Sequence, residues 1–155
     1  MKKISLALLL ILFSSSAFAT TVERLTLDDM VRRAHAIVHG KVLASTAHWS
    51  ADHRLILTTS TVEVQETLKG HATRTLELTT IGGTIGDLTL VAAGMPTLHA
   101  GEEMVLFVED VGPFKTIVGL SQGKFSVSNG EVSNPTAHLK MHLTDFKEEI
   151  RSRLK

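Results

Sequence analysis

The run from Leu55 to Gly70, LILTTSTVEVQETLKG, restricts the fold more than any other stretch of the chain. Thr58, Thr59, Thr61, Val62 and Val64 are β-branched; such side chains are stiff at χ1 and suit a pleated surface. Ile56, Val62, Val64 and Leu68 share one face of an extended chain, and Glu63 and Gln65 point the other way. Gly70 stops the run. At about 3.3 Å per residue, Leu55–Leu68 would reach about 46 Å. A flat sheet in a small domain has no room for that length. The strand must bend or carry a bulge, expected at Thr58–Ser60. A long bent strand shared between two halves of a sheet is how small barrels close.

The N-terminus is of another kind. Lys2 and Lys3 precede a ten-residue, mostly apolar run, Ile4–Phe13, and Ala17-Phe18-Ala19 follows as an A-x-A site. The run is shorter than the roughly 20 residues that span a bilayer. The expectation is a cleaved signal peptide over residues 1–19, a mature chain from Thr20, and a periplasmic or secreted bacterial protein. Residues 20–155 then suit one domain. Removing Lys2 and Lys3 lowers 16 basic residues to 14 against 16 acidic, a net charge of about −2. A near-neutral chain offers no basic footprint for nucleic acid, and no further segment is apolar enough to cross a membrane. Cysteine is absent, so there is neither a disulfide nor a thiolate ligand, and the apolar core must hold the fold.

Thr26-Leu27-Asp28-Asp29 predicts a helix start, with Thr26 as cap and Asp29 at the capping-box position. Leu27, Met30, Val31 and Ala34 continue it as one apolar stripe. Ala36–Ala44 is the first strand, in which Gly40 implies a bend or a close backbone approach. Thr46–Arg54 is a polar turn leading into Leu55–Leu68. Arg74–Ile81 is the third strand, with Leu76 and Leu78 inward. Residues 82–94 hold four glycines and a short apolar insert, Leu88–Val91. Glu103–Glu109 is a nearly continuous apolar strand, buried on both faces or central in the sheet. Phe114–Leu120 and a hairpin around Asn129-Gly130 complete the sheet, which Asn134-Pro135 ends. Asp145–Leu154 is a terminal helix capped by Thr144, with Phe146, Ile150 and Leu154 on one face and a Glu149–Arg153 pair. The fold class expected is mainly β: a five- or six-stranded antiparallel OB-like barrel flanked by two short helices, with a sandwich as the second choice.

Three clusters carry a resemblance. They are Ala34-His35-Ala36-Ile37-Val38-His39-Gly40-Lys41-Val42, then Val64 to Gly70 ending in Leu68-Lys69-Gly70, then Gly101-Glu102-Glu103-Met104-Val105-Leu106-Phe107. In this order they resemble the netrin-like modules, the OB-barrel domains that include tissue inhibitors of metalloproteases and bacterial relatives. Gly82-Gly83 and Gly119-Leu120-Ser121-Gln122-Gly123-Lys124-Phe125 extend a likeness to uncharacterised bacterial exported proteins. The resemblance implies an OB barrel and a protease-inhibitor-like or protease-partner role. Inhibitors of that group chelate the target's zinc through an N-terminal cysteine, which this chain lacks.

Catalytic signatures are weak. No H-E-x-x-H pattern accompanies the eight histidines, and His138 and His142 would lie about 13 Å apart on a strand. Ser121 approximates a nucleophile elbow only loosely and lies between strands. The glycine-rich stretch lacks the Lys-Ser/Thr of a phosphate loop. The reading is therefore a non-enzymatic binding module with no cofactor and no metal, whose partner is a secreted or periplasmic protein, a protease among the candidates. The expected contact residues are Trp49, Gly82, Gly83, Ile85, Leu88, Leu90, Met95 and Leu98: a glycine-rich loop with apolar side chains, beside a hairpin tip. The alternatives are a metal-dependent or serine envelope hydrolase and a structural accessory subunit of an envelope assembly.

Overall fold

A computed structural model describes residues 23–155. The expected signal peptide, its cleavage site and the start at Thr20 lie outside the described residues. Helix α1 (Leu27–Arg33) begins at the expected capping box: the Thr26 hydroxyl accepts from the Asp29 amide at 3.1 Å, and the Asp29 carboxylate accepts from the Thr26 amide at 3.1 Å. Met30, Val31 and Ala34 are buried and Arg32 and Arg33 are exposed, as the stripe requires.

Strands β1 (Ala36–Trp49) and β2 (Ile56–Lys69) form a hairpin of two 14-residue arms. β1 therefore runs five residues beyond the expected end at Ala44, and the polar turn shrinks to a tip at 50–55. After them come β3 (Thr75–Ile81), a flap of β4 (Gly83–Ile85) and β5 (Leu88–Leu90), β6 (Glu103–Val111), β7 (Phe114–Ile117), a 3-10 turn at Leu120–Gly123, β8 (Lys124–Ser128), β9 (Glu131–Asn134), β10 (Leu139–His142) and helix α2 (Leu143–Ser152). The terminal helix starts before Thr144, so His142 rather than Thr144 is its cap, and Leu154 lies beyond its end and is exposed. The Glu149–Arg153 pair forms at 2.6 Å.

The main sheet is antiparallel, in the order β10-β9-β8-β6-β1-β2-β3, with β7 continuing the β8 edge of β6. It has eight strands, more than the five or six expected, because Asn134-Pro135 does not end it: β10 follows Pro135 and pairs with β9. Nor is the sheet closed. β3 lies against β7, but among the described residues no backbone hydrogen bond joins them. The mainly β, antiparallel, two-helix expectation holds, and a closed barrel is not what these strands form.

The bend in the long hairpin comes from three register offsets. They leave Leu68 and Gln65 of β2 and Leu43 of β1 without opposite partners. Thr58–Ser60, the expected bend, pairs regularly with Ser45–Ala47. Extra residues on one strand sharpen the twist and curl the sheet. Gly40 permits the closest approach here, since a Cβ on it would stand 2.4 Å from the Glu63 carbonyl oxygen.

β6 is buried from Met104 to Val108. Its alternate residues feed two cores on opposite faces. Val105 and Phe107 join Phe125, Phe146, Ile150, Met30 and Val31 beneath the two helices. Met104, Leu106 and Val108 join Val38, Val42, Val62, Leu78 and Ile117 inside the curl.

Candidate functional site

The residues that carry the resemblance are joints of the scaffold. Lys69 donates from Nζ to the carbonyls of Val31 and Ala34, each at 2.6 Å, and so satisfies the exposed end of α1. Gly70, at φ +72°, lets the chain pass His35, whose carbonyl a Cβ would meet at 2.2 Å. Gln122 is buried: its Oε1 accepts from the Leu25 amide at 2.8 Å and its Nε2 donates to the Glu23 carbonyl at 2.9 Å. Asn134, 1% exposed, donates to the carbonyls of Ser121, Gln122 and Lys124 and accepts from the Ala137 amide. Glu102 accepts from the His99 amide and from Lys124 Nζ, each at 3.1 Å. Burial pushes its carboxyl up, but those two donors outweigh burial and leave it below the ordinary glutamate value. These groups are spent on holding loops to the sheet.

Four of the eight histidines are engaged by neighbours. Among the described residues, no three His, Asp or Glu side chains converge as metal donors. His35 Nδ1 lies 3.0 Å from Asp110 Oδ2 on the surface, and no serine or threonine hydroxyl among the described residues bonds its other nitrogen. His39 has both ring nitrogens engaged, by Glu103 and by Lys147. His48 bonds Thr59 and the Trp49 carbonyl, and His53 stacks on Trp49 with centroids 6.3 Å apart.

The exposed apolar side chains are gathered more closely. The exposed large apolar side chains Leu55, Ile81, Val111 and Phe114 come from three hairpin ends far apart in sequence, and all four line one open cleft of about 680 Å³ between β3 and β7. Leu57 and Ile117, both buried, belong to the same wall, so the cleft opens directly off the inner core. The β6–β7 turn holds Gly112 at φ +57°, which aims Val111 and Phe114 as a facing pair. Ser50, Ala51 and Asp52 of the β1–β2 tip form part of the rim. Arg33 and Glu109 are there too, 3.6 Å apart.

The glycine-rich stretch sits next to this cleft. Gly82, Gly83, Leu90, Met95 and Leu98 line a smaller recess of about 210 Å³ between the flap and β3. Met95 and Ile81 belong to both hollows. Thr58 donates to the Gly82 carbonyl at 2.6 Å and fixes the flap's root, and Gly83 lacks the Cβ that would stand 2.6 Å from that hydroxyl. The expected contact residues therefore divide. Leu98, 2% exposed, is core. Leu88, 60% exposed, and Ile85 line neither hollow. Trp49 is half-buried beside the tip and lines neither as well.

Leu55, Ile81, Val111 and Phe114 escaped the sequence reading. The available signal was position: each flanks a turn, where polar residues are usual, and Val111 and Phe114 bracket Gly112-Pro113. No helix among the described residues is long and apolar enough to cross a membrane. No protein-family profile, no curated protein and no solved structure matches this chain.

Proposed function

We propose that the protein is an exported binding module whose β3–β7 cleft receives an apolar segment of a protein partner. The observation that carries this is the convergence of Leu55, Ile81, Val111 and Phe114 on one hollow. Contiguous exposed apolar surface is uncommon on a chain that works alone and marks contact sites. An aromatic anchor with aliphatic neighbours is the usual centre of a protein contact. The curled sheet is read as an OB-like barrel whose seam, between β3 and β7, is left without a ladder. That seam supplies the binding cleft, and Met95, which follows the glycine-rich flap, lines it beside Ile81. The netrin-like resemblance makes a protease the first partner class to test. Binding is preferred to hydrolysis because His39, the buried histidine beside a carboxylate, has no free ring nitrogen.

The test is a photo-cross-linking residue placed at Phe114, with the same residue at Leu154 as a control away from both hollows. Exposed to the secreted and periplasmic proteins of its source, the Phe114 form should give a defined protein adduct. Leu55→Asp should abolish the adduct while leaving the circular dichroism spectrum unchanged. Equal labelling from both positions, or an adduct indifferent to Leu55→Asp, would overturn the proposal.

A further inference from the structure

Resting on the cleft as a protein-binding site, we infer that its occupant joins the outer edge of β3 as an added β-strand. Apolar side chains do not specify the conformation of what they hold. Main-chain groups do, and the ladder shows where β3 points them.

In an antiparallel pair, opposite residues alternate between those that exchange two main-chain hydrogen bonds and those that exchange none. Gly82 N donates to the Ile56 carbonyl at 2.8 Å, and Val64 N donates to the Arg74 carbonyl at 2.9 Å. Both pairs continue the β2–β3 register, in which Thr58 faces Thr80 and Val62 faces Leu76. The even-numbered residues of β3 therefore bond to β2, and Thr75, Glu77, Thr79 and Ile81 turn their N–H and C=O groups away from it. β3 ends the sheet. The Thr75 carbonyl accepts from the Thr73 hydroxyl at 2.6 Å. Among the described residues, no backbone hydrogen bond takes the outward groups of Glu77, Thr79 or Ile81. The far wall repeats the pattern. Val118 N donates to the Phe107 carbonyl at 2.9 Å, which turns the main-chain groups of Lys115 and Ile117 away from β6. Ile117 is 2% exposed, and among the described residues no backbone group pairs with its N–H or C=O. Buried main-chain groups are almost always paired.

Thr79 and Ile81 line the cleft. Their outward groups repeat every second residue, about 6.6 Å apart. A row of donors and acceptors at that spacing is matched by an extended polypeptide. Every second side chain of such a strand meets the wall of Leu57, Ile117 and Leu120, so apolar residues alternate along it. The charges at the rim cancel in pairs, Arg33 with Glu109 at 3.6 Å and Asp52 with Arg54 at 4.0 Å, which suits a neutral segment. A second copy of β3 suits the edge less well, because exposed Glu77 near the middle of the strand would bring like charges together. The occupant is thus a neutral, extended, alternately apolar segment of another protein.

Amide hydrogen exchange of the whole protein, read by NMR and corrected for intrinsic rates, tests this. In the free protein the Thr79 and Ile81 amides should exchange at least about ten-fold faster than those of Leu78 and Thr80. The probe is a short blocked peptide in which valine and threonine alternate. At saturation it should slow Thr79 and Ile81 by about ten-fold or more. Two further forms of the peptide are N-methylated on alternate amides, one on each set. The form whose methyl groups face β3 should lose binding, and the other should keep it. Equal protection of all four amides in the free protein would overturn strand addition. So would shifts confined to the Leu55 and Val111 side chains, equal binding of both methylated forms, or a free protein that dimerises through β3. The cleft reading survives those results, since the Phe114 adduct needs no backbone pairing. A peptide that shifts no cleft residue overturns strand addition, and it overturns the cleft reading as well only when the Phe114 adduct is also missing.

Discussion

Replacing Gln122 with methionine tests whether the buried amide, rather than the apolar core alone, holds the start of the described chain. Methionine keeps the length and most of the packing of glutamine, so the change isolates three hydrogen bonds. The Leu25 amide loses its acceptor at 2.8 Å in a buried setting, and water cannot replace it. The Glu23 carbonyl loses a donor at 2.9 Å but lies on an exposed residue and can be rehydrated. The Gly119 carbonyl loses a longer contact of 3.3 Å. An orphaned buried donor costs about 1–3 kcal/mol and a net hydrogen bond about 1 kcal/mol, so the loss should be about 2–3 kcal/mol. At a urea m-value of about 1.5 kcal/mol/M, that lowers the unfolding midpoint by about 1.3–2 M. Equilibrium unfolding in urea, followed by Trp49 fluorescence and far-ultraviolet circular dichroism, reads it directly. A shift below about 0.5 kcal/mol at unchanged m would mean that the amide holds nothing, and the reasoning would fail.

Three further outcomes are expected. Gly40→Ala should destabilise by more than about 2 kcal/mol, because its Cβ would sit 2.4 Å from the Glu63 carbonyl and 2.9 Å from Val62 Cγ1; a thermal melt unchanged within error would count against the close approach. Lys69→Met should cost about 1–3 kcal/mol and raise amide exchange in α1 before the sheet, since two helix-end carbonyls lose their donor; uniform exchange across the chain would refute a local joint. Glu66 and Glu102 have lowered carboxyl pKa values in the fold, so the stability they add is complete above the ordinary glutamate value of 4.5 and disappears as pH falls through the lowered values. The double variant Glu66→Gln with Glu102→Gln should therefore show a shallower loss of stability in an acid titration monitored by circular dichroism, and an unchanged slope would contradict this.

Local chemistry was legible wherever one segment decides its own geometry. The Thr26–Asp29 capping box, the doubly buried β6 and the Asn129-Gly130 turn all depend on neighbours in sequence, and all formed as expected. Leu55–Gly70 was legible as a bent strand but not in the place of its bend. A bulge is a property of two strands, and Leu43, on the partner, supplies one of the three offsets. Strand β10 was missed because Pro135 breaks a ladder. Here it occupies the turn that Asn134 holds by accepting from the Ala137 amide. The candidate site was legible only at its margin. Met95 belongs to both hollows, whereas the cleft is assembled from residues 55, 81, 111 and 114, each unremarkable in its own segment. The quoted glycine, lysine and glutamine positions marked the fold's joints and say little about its partner.

The two cores on opposite faces of β6 also dictate an order of events during synthesis. β1 can complete neither core until β6 arrives, and Val38 pairs with Leu106 across a long intervening chain. Leu25 waits longer still, for Gln122, 97 residues away. His39 waits 108 residues for Lys147. Contacts this distant slow the search for the native state, because loop closure precedes any reward. The inner core is complete once Ile117 has been made, whereas the core beneath the helices stays open on one side until Phe146 and Ile150 arrive, so one face of β6 is sealed well before the other.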